Sequence, residues 1–323
     1  SHLAALSNGK QLLFVGGEEN LPGNLYKYHS RVDIYNMETE QWSAAELSKA
    51  RFAMGYAVAG GKAFFAGGIK NDSVTNRVDI YDFAAKKWST DTLSIARCLI
   101  SATAVGSKVF FGGGMVASEI PTDRVDVFDT ETGKWSITHL SVPRAFGFTN
   151  HAATICGMAV FAGGGSASFE KKDFVSASDV VDMYDPAKDN WTSSRLTYPR
   201  FSHSVASAGN QLLVAGGVDL NYIYKTVDIF TCTTTSLERT TVSRKNISIY
   251  PNPATDKLTI LLPEPKQRAE IKLYDPAGRI VREVITGYET VELDIQDLDR
   301  GVYLVQVSTD GICDNMKIIL INN

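Results

Sequence analysis

One phrase recurs along the chain and restricts its fold more than any total does. "RVDIYNMETEQW" stands at 31–42, "RVDIYDFAAKKW" at 77–88 and "RVDVFDTETGKW" at 124–135. Looser copies follow, with VDMY at 181–184 and VDIF at 227–230. Upstream of each copy an apolar run ends in a glycine doublet that begins at Gly16, Gly67, Gly113, Gly163 or Gly216. Seven residues past the aromatic that closes each VDxY or VDxF stretch comes Trp42, Trp88, Trp135 or Trp191, with Leu237 in the fifth unit. Nine residues past each Trp comes an arginine: Arg51, Arg97, Arg144 or Arg200. Such fixed spacing is what packing against copies of oneself demands, so the chain is expected to stack repeated units.

Each unit reads as four strands. An alternating stretch such as MGYAVAG is followed by an apolar run such as KAFFAGG, then a variable loop, the VDIY strand and the strand carrying Trp. β-Branched and aromatic residues between turn residues favour strands, and the first 240 residues contain no convincing amphipathic helix. The glycine doublets permit unusual φ values and close backbone approach. The Trp and Tyr or Phe side chains supply large apolar area between neighbouring sheets.

A glycine doublet, then a Tyr, then a Trp seven residues later resembles the kelch repeat across residues 1–240. The resemblance implies a β-propeller with one repeat per blade. Kelch propellers usually have six or seven blades, whereas five are visible here. Carrying the arginine-to-glycine spacing of the second unit back to Gly16 puts the first arginine at position zero. Either the ring closes with five blades, or further blades precede Ser1.

The repeat stops near residue 240. Residues 241–323 have strands at short spacing, broken by turns such as DPAG, and read as a small immunoglobulin-like β-sandwich. This segment resembles the type A C-terminal sorting domain of the type IX secretion system of Bacteroidota. The matching motifs are YPNPATDKLTI (Pro251, Asn252, Pro253), LYDPAGRIV (Gly278) and LDRGVYLVQV (Gly301, Tyr303), with the basic-apolar end MKIILIN. The resemblance implies export across the outer membrane, with the secretion machinery as partner of residues 241–323. It also implies a place at the cell surface or outside the cell. Read from the residues alone, the prolines fit an edge or loop and the glycines fit turns, so each motif residue has a mainly structural role. The fold class expected is therefore all-β: a kelch β-propeller and a small sandwich.

Totals exclude some partners. A net charge of −4 points to neither nucleic acid nor an acidic lipid surface. No apolar run approaches the roughly 18 residues of a membrane helix. The start, SHLAALSNGK, lacks the pattern of an intact signal peptide. Cys98, Cys156, Cys232 and Cys313 are far apart and form no C-x-x-C pair. They are read as buried thiols, with neither zinc nor a disulfide scaffold expected.

The mouth of the propeller is where a ligand is expected. Arg51, Arg97, Arg144 and Arg200 fall in the turns between fourth and first strands, and Arg31, Arg77 and Arg124 precede the third strand. Together they would make a cationic funnel for an acidic glycan, a sugar acid or an acidic peptide. A structural alternative is that they pair with Asp33, Asp79, Asp126, Asp182 and Asp228, which recur in phase in the third strand. The variable loops carry Tyr26, Tyr28, Phe169, Tyr222 and Tyr224 as candidate contact residues for a sugar or a protein.

His2, His29, His139, His151 and His203 fall at different repeat phases and are not expected to converge as metal ligands. No nucleophile elbow, H-E-x-x-H or P-loop is present, and neither catalytic residues nor a cofactor are expected. Noncatalytic binding of an extracellular protein or anionic glycan is the favoured function. Isomerisation of a sugar acid is the alternative, because sialic-acid mutarotases are another kelch family with a charged mouth.

Overall fold

The computed structural model describes residues 2–22, 25–147, 150–170, 173–232, 237–242, 247–262, 269–309 and 312–321. It forms two units, Ser1–Ser243 and Arg244–Asn323. Among the described residues each is all-β, and no helix is long and apolar enough to cross a membrane.

The first unit is a β-propeller of four-stranded antiparallel blades. Blade 1 consists of Ala4–Ser7, Gln11–Val15, Arg31–Asn36 and Gln41–Glu46. Blade 2 consists of Gly55–Ala59, Lys62–Ala66, Arg77–Asp82 and Lys87–Thr92, and blade 3 of Ser101–Val105, Lys108–Gly112, Arg124–Asp129 and Lys134–His139. Blade 4 is Ala152–Ile155, Met158–Ala162, Val180–Asp185 and Asn190–Arg195, and blade 5 is Ser204–Ala208, Gln211–Ala215, Val227–Cys232 and Leu237–Val242. The repeated phrase is thus the outer half of every blade, and the first strands of successive blades pack side by side.

Packing explains the apolar runs. In blades 2, 3 and 4 the last four residues of the second strand are all buried, because a neighbour covers each face. In blade 1 and blade 5 the same strand alternates, with one face covered. Each joint has its own core. Leu13, Val15 and Ile34 of blade 1 meet Ala63, Phe65 and Tyr81 of blade 2. Phe64 and Val78 of blade 2 meet Phe111 and Phe128 of blade 3, with Trp135 alongside. Register places the tryptophan opposite the third-strand aromatic, as in Phe128 against Trp135. Blade 5 departs from this pattern. Its hairpin is two residues longer, so Phe230 stands opposite Arg239, and Leu237 pairs with Cys232. Leu237 therefore does not replace the tryptophan as the sequence spacing suggests. The side chains of Leu237 and Cys313 lie outside the described residues.

The variable loops are mostly two-stranded ribbons: Glu18–Leu21 with Leu25–Tyr28, Ile69–Lys70 with Ser73–Val74, Met115–Ala117 with Ile120–Pro121, and Gly165–Ser168 with Asp173–Ala177. These short hairpins escape a reading based on alternation, because strands of two to five residues carry little or no period.

The cysteine reading needs correction. Cys156 and Cys232 form a disulfide between the first hairpin of blade 4 and the third strand of blade 5. Their separation of 76 residues hides the pairing from spacing alone. A disulfide suits a protein that works outside the reducing cytosol. Cys98 is a buried free thiol, and burial raises its pKa.

The second unit is a sandwich of a three-stranded sheet (Ser248–Tyr250, Lys257–Leu261, Thr290–Asp294) and a four-stranded sheet (Ala269–Tyr274, Ile280–Thr286, Gly301–Thr309, Ile312–Leu320). Leu258, Ile260 and Leu293 of one sheet pack on Ile271, Val305 and Ile318 of the other.

Candidate functional site: the propeller mouth

The funnel expectation rests on the turn arginines. Arg51, Arg97, Arg144 and Arg200 are at most 1% exposed. Arg97 leaves the turn between blades 2 and 3. It donates from Nε to the Gly113 carbonyl (2.9 Å), from Nη2 to the Phe111 carbonyl (2.9 Å) and from Nη1 to the Asp126 carboxylate (2.6 Å). The other Asp126 oxygen accepts the Ser94 backbone N–H at 3.1 Å. Arg144 repeats the pattern with Gly163, Phe161 and Asp182, and Arg51 with Gly67, Phe65 and Asp79. Arg200 binds the Val214 carbonyl and Asp228.

The glycine doublet belongs to this joint. A Cβ on Gly113 would lie 2.3 Å from the Arg144 carbonyl oxygen, at a φ of 62° that L side chains rarely adopt. Arginine, glycine and aspartate are therefore one device, which stitches the crossing turn to the blade it enters. Burial lowers the Arg97 pKa, while the Asp126 charge opposes that shift.

These four arginines are hence corrected from ligand-binding to structural residues. Arg51, Arg97 and Arg144 give their donors to carbonyls and carboxylates inside the joints, and Arg200 gives its terminal nitrogens to Asp228, the Val214 carbonyl and the Thr226 hydroxyl, because a buried guanidinium must be paired. The remaining three do not line the mouth cavity, although the charge of Arg77 reaches Arg51 and that of Arg124 reaches Arg97. Arg31 is exposed and paired with Asp33 at 2.6 Å, Arg77 is half-buried, and Arg124 donates to the Ser94 hydroxyl at 3.3 Å. None of the seven arginines is among the residues that line the mouth cavity, so the cavity lends no support to an anionic ligand.

A different site occupies that face. A cavity of about 260 Å³ is lined by hairpins of blades 1, 2 and 4 and by the turns entering blades 2 and 3. Its floor is apolar: Ile69, Leu99 and Phe174, with Cys98 and Ala167 beside them. Its walls are aromatic. Tyr28 stacks on Phe52 (centroids 5.6 Å, 20°), His2 stacks on the same ring (6.0 Å, 28°), and Tyr26 and Phe169 complete the lining. Phe174 is backed by Phe201 at 4.2 Å. The charged groups are Glu18, Asp72 and Asp173, with His2 held 2.8 Å from Glu18. No lysine or arginine among the described residues lines the cavity.

Of the five loop aromatics singled out from sequence, Tyr26, Tyr28 and Phe169 reach this cavity. Tyr222 is 66% exposed elsewhere, and Tyr224 stacks on Tyr198 at 4.9 Å. Phe52, Leu99 and Phe174 were missed. The first two follow the repeat arginines by one and two residues, a phase at which each joint turns toward the mouth.

Two of the five histidines meet, without forming a group that could hold a metal ion among the described residues. His151 and His203 are buried and face each other with ring centroids 4.1 Å apart, despite their different repeat phases. Burial pushes His203 down to about 3, aided by the charge of Arg200, and lowers His151 well below the usual histidine value. The described residues contain no group of three or more His, Cys, Asp or Glu side chains able to hold a metal ion.

In the sandwich the motif residues tie the last strand down. The exposed Asn252 donates to the Lys317 carbonyl (3.1 Å) and accepts the Ile319 N–H (3.0 Å). Ala254 continues the latch with bonds to Ile319 and Ile321, and the exposed Pro251 and Pro253 flank Asn252. The buried Tyr303 donates its hydroxyl to the Asp299 carbonyl at 2.8 Å. Gly278 turns with φ of 79°, and Gly301 opens the strand that carries Tyr303.

The comparisons with known proteins agree with both folds. Residues 248–322 match the secretion system C-terminal sorting domain, which indicates export by the type IX system to the cell surface or the extracellular space. A solved structure titled "Structure of YjhT" is similar with a TM-score of 0.59 and 17% identity, over 74% of this chain and 84% of that one; at this identity the likeness concerns the fold. No curated protein matches the chain. Residues 12–235, most of the chain, match the family described as the Attractin/LZTR1 beta-propeller, and the chain belongs to that family.

Proposed function

We propose that the propeller is a noncatalytic binding cargo, and that its ligand docks in the aromatic cavity at the mouth. The carrying observation is the cavity itself: an apolar floor under stacked aromatic rings, built on ribbons of a rigid scaffold, which is how binding sites are generally made. The sorting domain supplies the address, and the propeller supplies the recognition. Sugar-acid isomerisation draws less support, because His2, Glu18 and Tyr28 line the cavity without an arginine, among the described residues, to take the acid.

Replacing Tyr28 with Ala should remove a wall of the cavity and abolish capture of the ligand, while the melting temperature stays close to that of the parent. Comparing extracellular material retained by the parent and by Tyr28→Ala tests this. Equal retention would reject the mouth as the binding site. Removal of residues 244–323 should leave the propeller folded and trapped inside the cell, and unchanged export would reject the sorting role.

A further inference from the structure

We infer that the mouth takes a cation on an apolar stem, the chemistry of a lysine or arginine side chain or of an alkylamine. The inference rests on the mouth being the binding site and goes beyond it by assigning the charge of the ligand. Three observations carry it. The lining presents Glu18, Asp72 and Asp173 and, among the described residues, no basic group other than His2. Carboxylates of one sign around a low-dielectric cleft focus a negative potential and reject anions.

The walls also suit a cation. Tyr26, Tyr28, Phe52 and Phe169 can offer ring faces, whose negative quadrupole attracts ammonium and guanidinium groups. Tyr28 and Phe52 already lie nearly parallel, 20° apart, and so are held in place before a ligand arrives. The floor of Ile69, Leu99 and Phe174 would bury a methylene stem while the charged head stays among the carboxylates at the rim.

Size narrows the ligand further. Sites for drug-sized molecules span about 300–1,000 Å³. At about 260 Å³ this one suits a single side chain rather than an oligosaccharide. The Asp72 and Asp173 side chains stand exposed on two different ribbons, so both can approach the head group of an incoming cation without breaking a buried contact.

The test uses the full chain and four probes: the capped tripeptide Gly-Lys-Gly, the same peptide with norleucine for lysine, n-butylamine, and glucuronate. Shifts of the NMR signals of residues around the cavity report where each probe binds, and titration reports how tightly. The lysine peptide should bind at least tenfold more tightly than the norleucine peptide, lose affinity as salt rises, and weaken about tenfold in the double variant Asp72→Asn/Asp173→Asn. Both aspartates are exposed, so the double variant should melt like the parent.

Stronger binding of the lysine peptide than of butylamine would assign the ligand to a polypeptide, and equal binding would assign it to a free amine. Both results support a cation. Equal binding of the norleucine peptide, or binding of glucuronate alone, would overturn the charge assignment and leave the mouth as the site. If no probe shifts a cavity signal, or if the shifts fall elsewhere on the propeller, the charge assignment fails together with the mouth reading.

Discussion

Blades 1 and 3 carry the same phrase, Arg-Val-Asp with an aromatic two residues on, yet its aspartate does different things in the two places. Asp126 in blade 3 is 2% exposed and grips Arg97 from the preceding turn, with the Ser94 N–H as a second partner. Asp33 in blade 1 is 38% exposed and pairs only locally with Arg31, its neighbour but one in the same strand. Trp135 is half-buried in a joint and donates to Asp91, whereas Trp42 is 62% exposed. The comparison shows that a repeat residue earns its role from the blade before it. The same letters are a buried ion pair where a neighbour stands and a solvated surface where none covers them.

The largest test of this contrast is Asp126→Ala against Asp33→Ala. Removing one partner of a buried pair leaves an uncompensated charge and should cost about 3–5 kcal/mol. The exposed pair should cost under about 1 kcal/mol. Urea unfolding of the two variants measures the difference, and similar losses would break the comparison.

Next in size is the joint between blades 4 and 5, which has a covalent link as well as its Arg200–Asp228 pair. Replacing Cys156 and Cys232 with Ala should destabilise by about 2–4 kcal/mol, since the bond constrains a long loop in the unfolded chain. No loss of stability in the double variant would show that packing alone holds that joint.

Within about one pH unit below 6.5, a smaller effect follows from the buried histidines. Burial depresses His203 to about 3, and the unfolded chain has the ordinary value of about 6.5. Above about pH 6.5 both states are neutral there and stability is complete. As pH falls from about 6.5 toward 3, only the unfolded state binds the proton, and stability drops by about 1.4 kcal/mol per pH unit. His151 is lowered as well and adds in the same direction. His203→Gln should flatten this acid limb, and an unchanged slope of stability against pH would rule out the pair as its source. The smallest expected effect is Trp42→Ala, within about 1 kcal/mol, because its ring is largely solvated. A loss as large as that of Trp135→Ala would mean that another surface covers blade 1 in solution.

Much of the fold is legible because repetition multiplies a weak signal. Alternation in one stretch such as Gly55–Ala59 is ambiguous, but the same order of strand, glycine doublet, aspartate and tryptophan recurring down the chain admits few arrangements. The ribbons on the mouth were not legible, since strands of two to five residues show little or no period. The site was legible in part. Tyr26, Tyr28 and Phe169 stand out as aromatics in variable loops, whereas Phe52, Leu99 and Phe174 look like ordinary core residues until three blades bring them to one cavity.

From the sequence by itself came the unit, its strands and the sorting motifs, because these depend on local spacing and residue type. Tertiary structure alone decided which way the arginines point. A charge that must leave water goes wherever a carboxylate and free carbonyls converge, and for Arg97 those partners lie 14 to 29 residues away in the next blade. It likewise decided that, among the described residues, the mouth cavity is lined by aromatics and carboxylates rather than by the repeat arginines, that His151 meets His203, and that Cys156 bonds Cys232. Each depends on which distant segments the curvature of the stacked blades brings together.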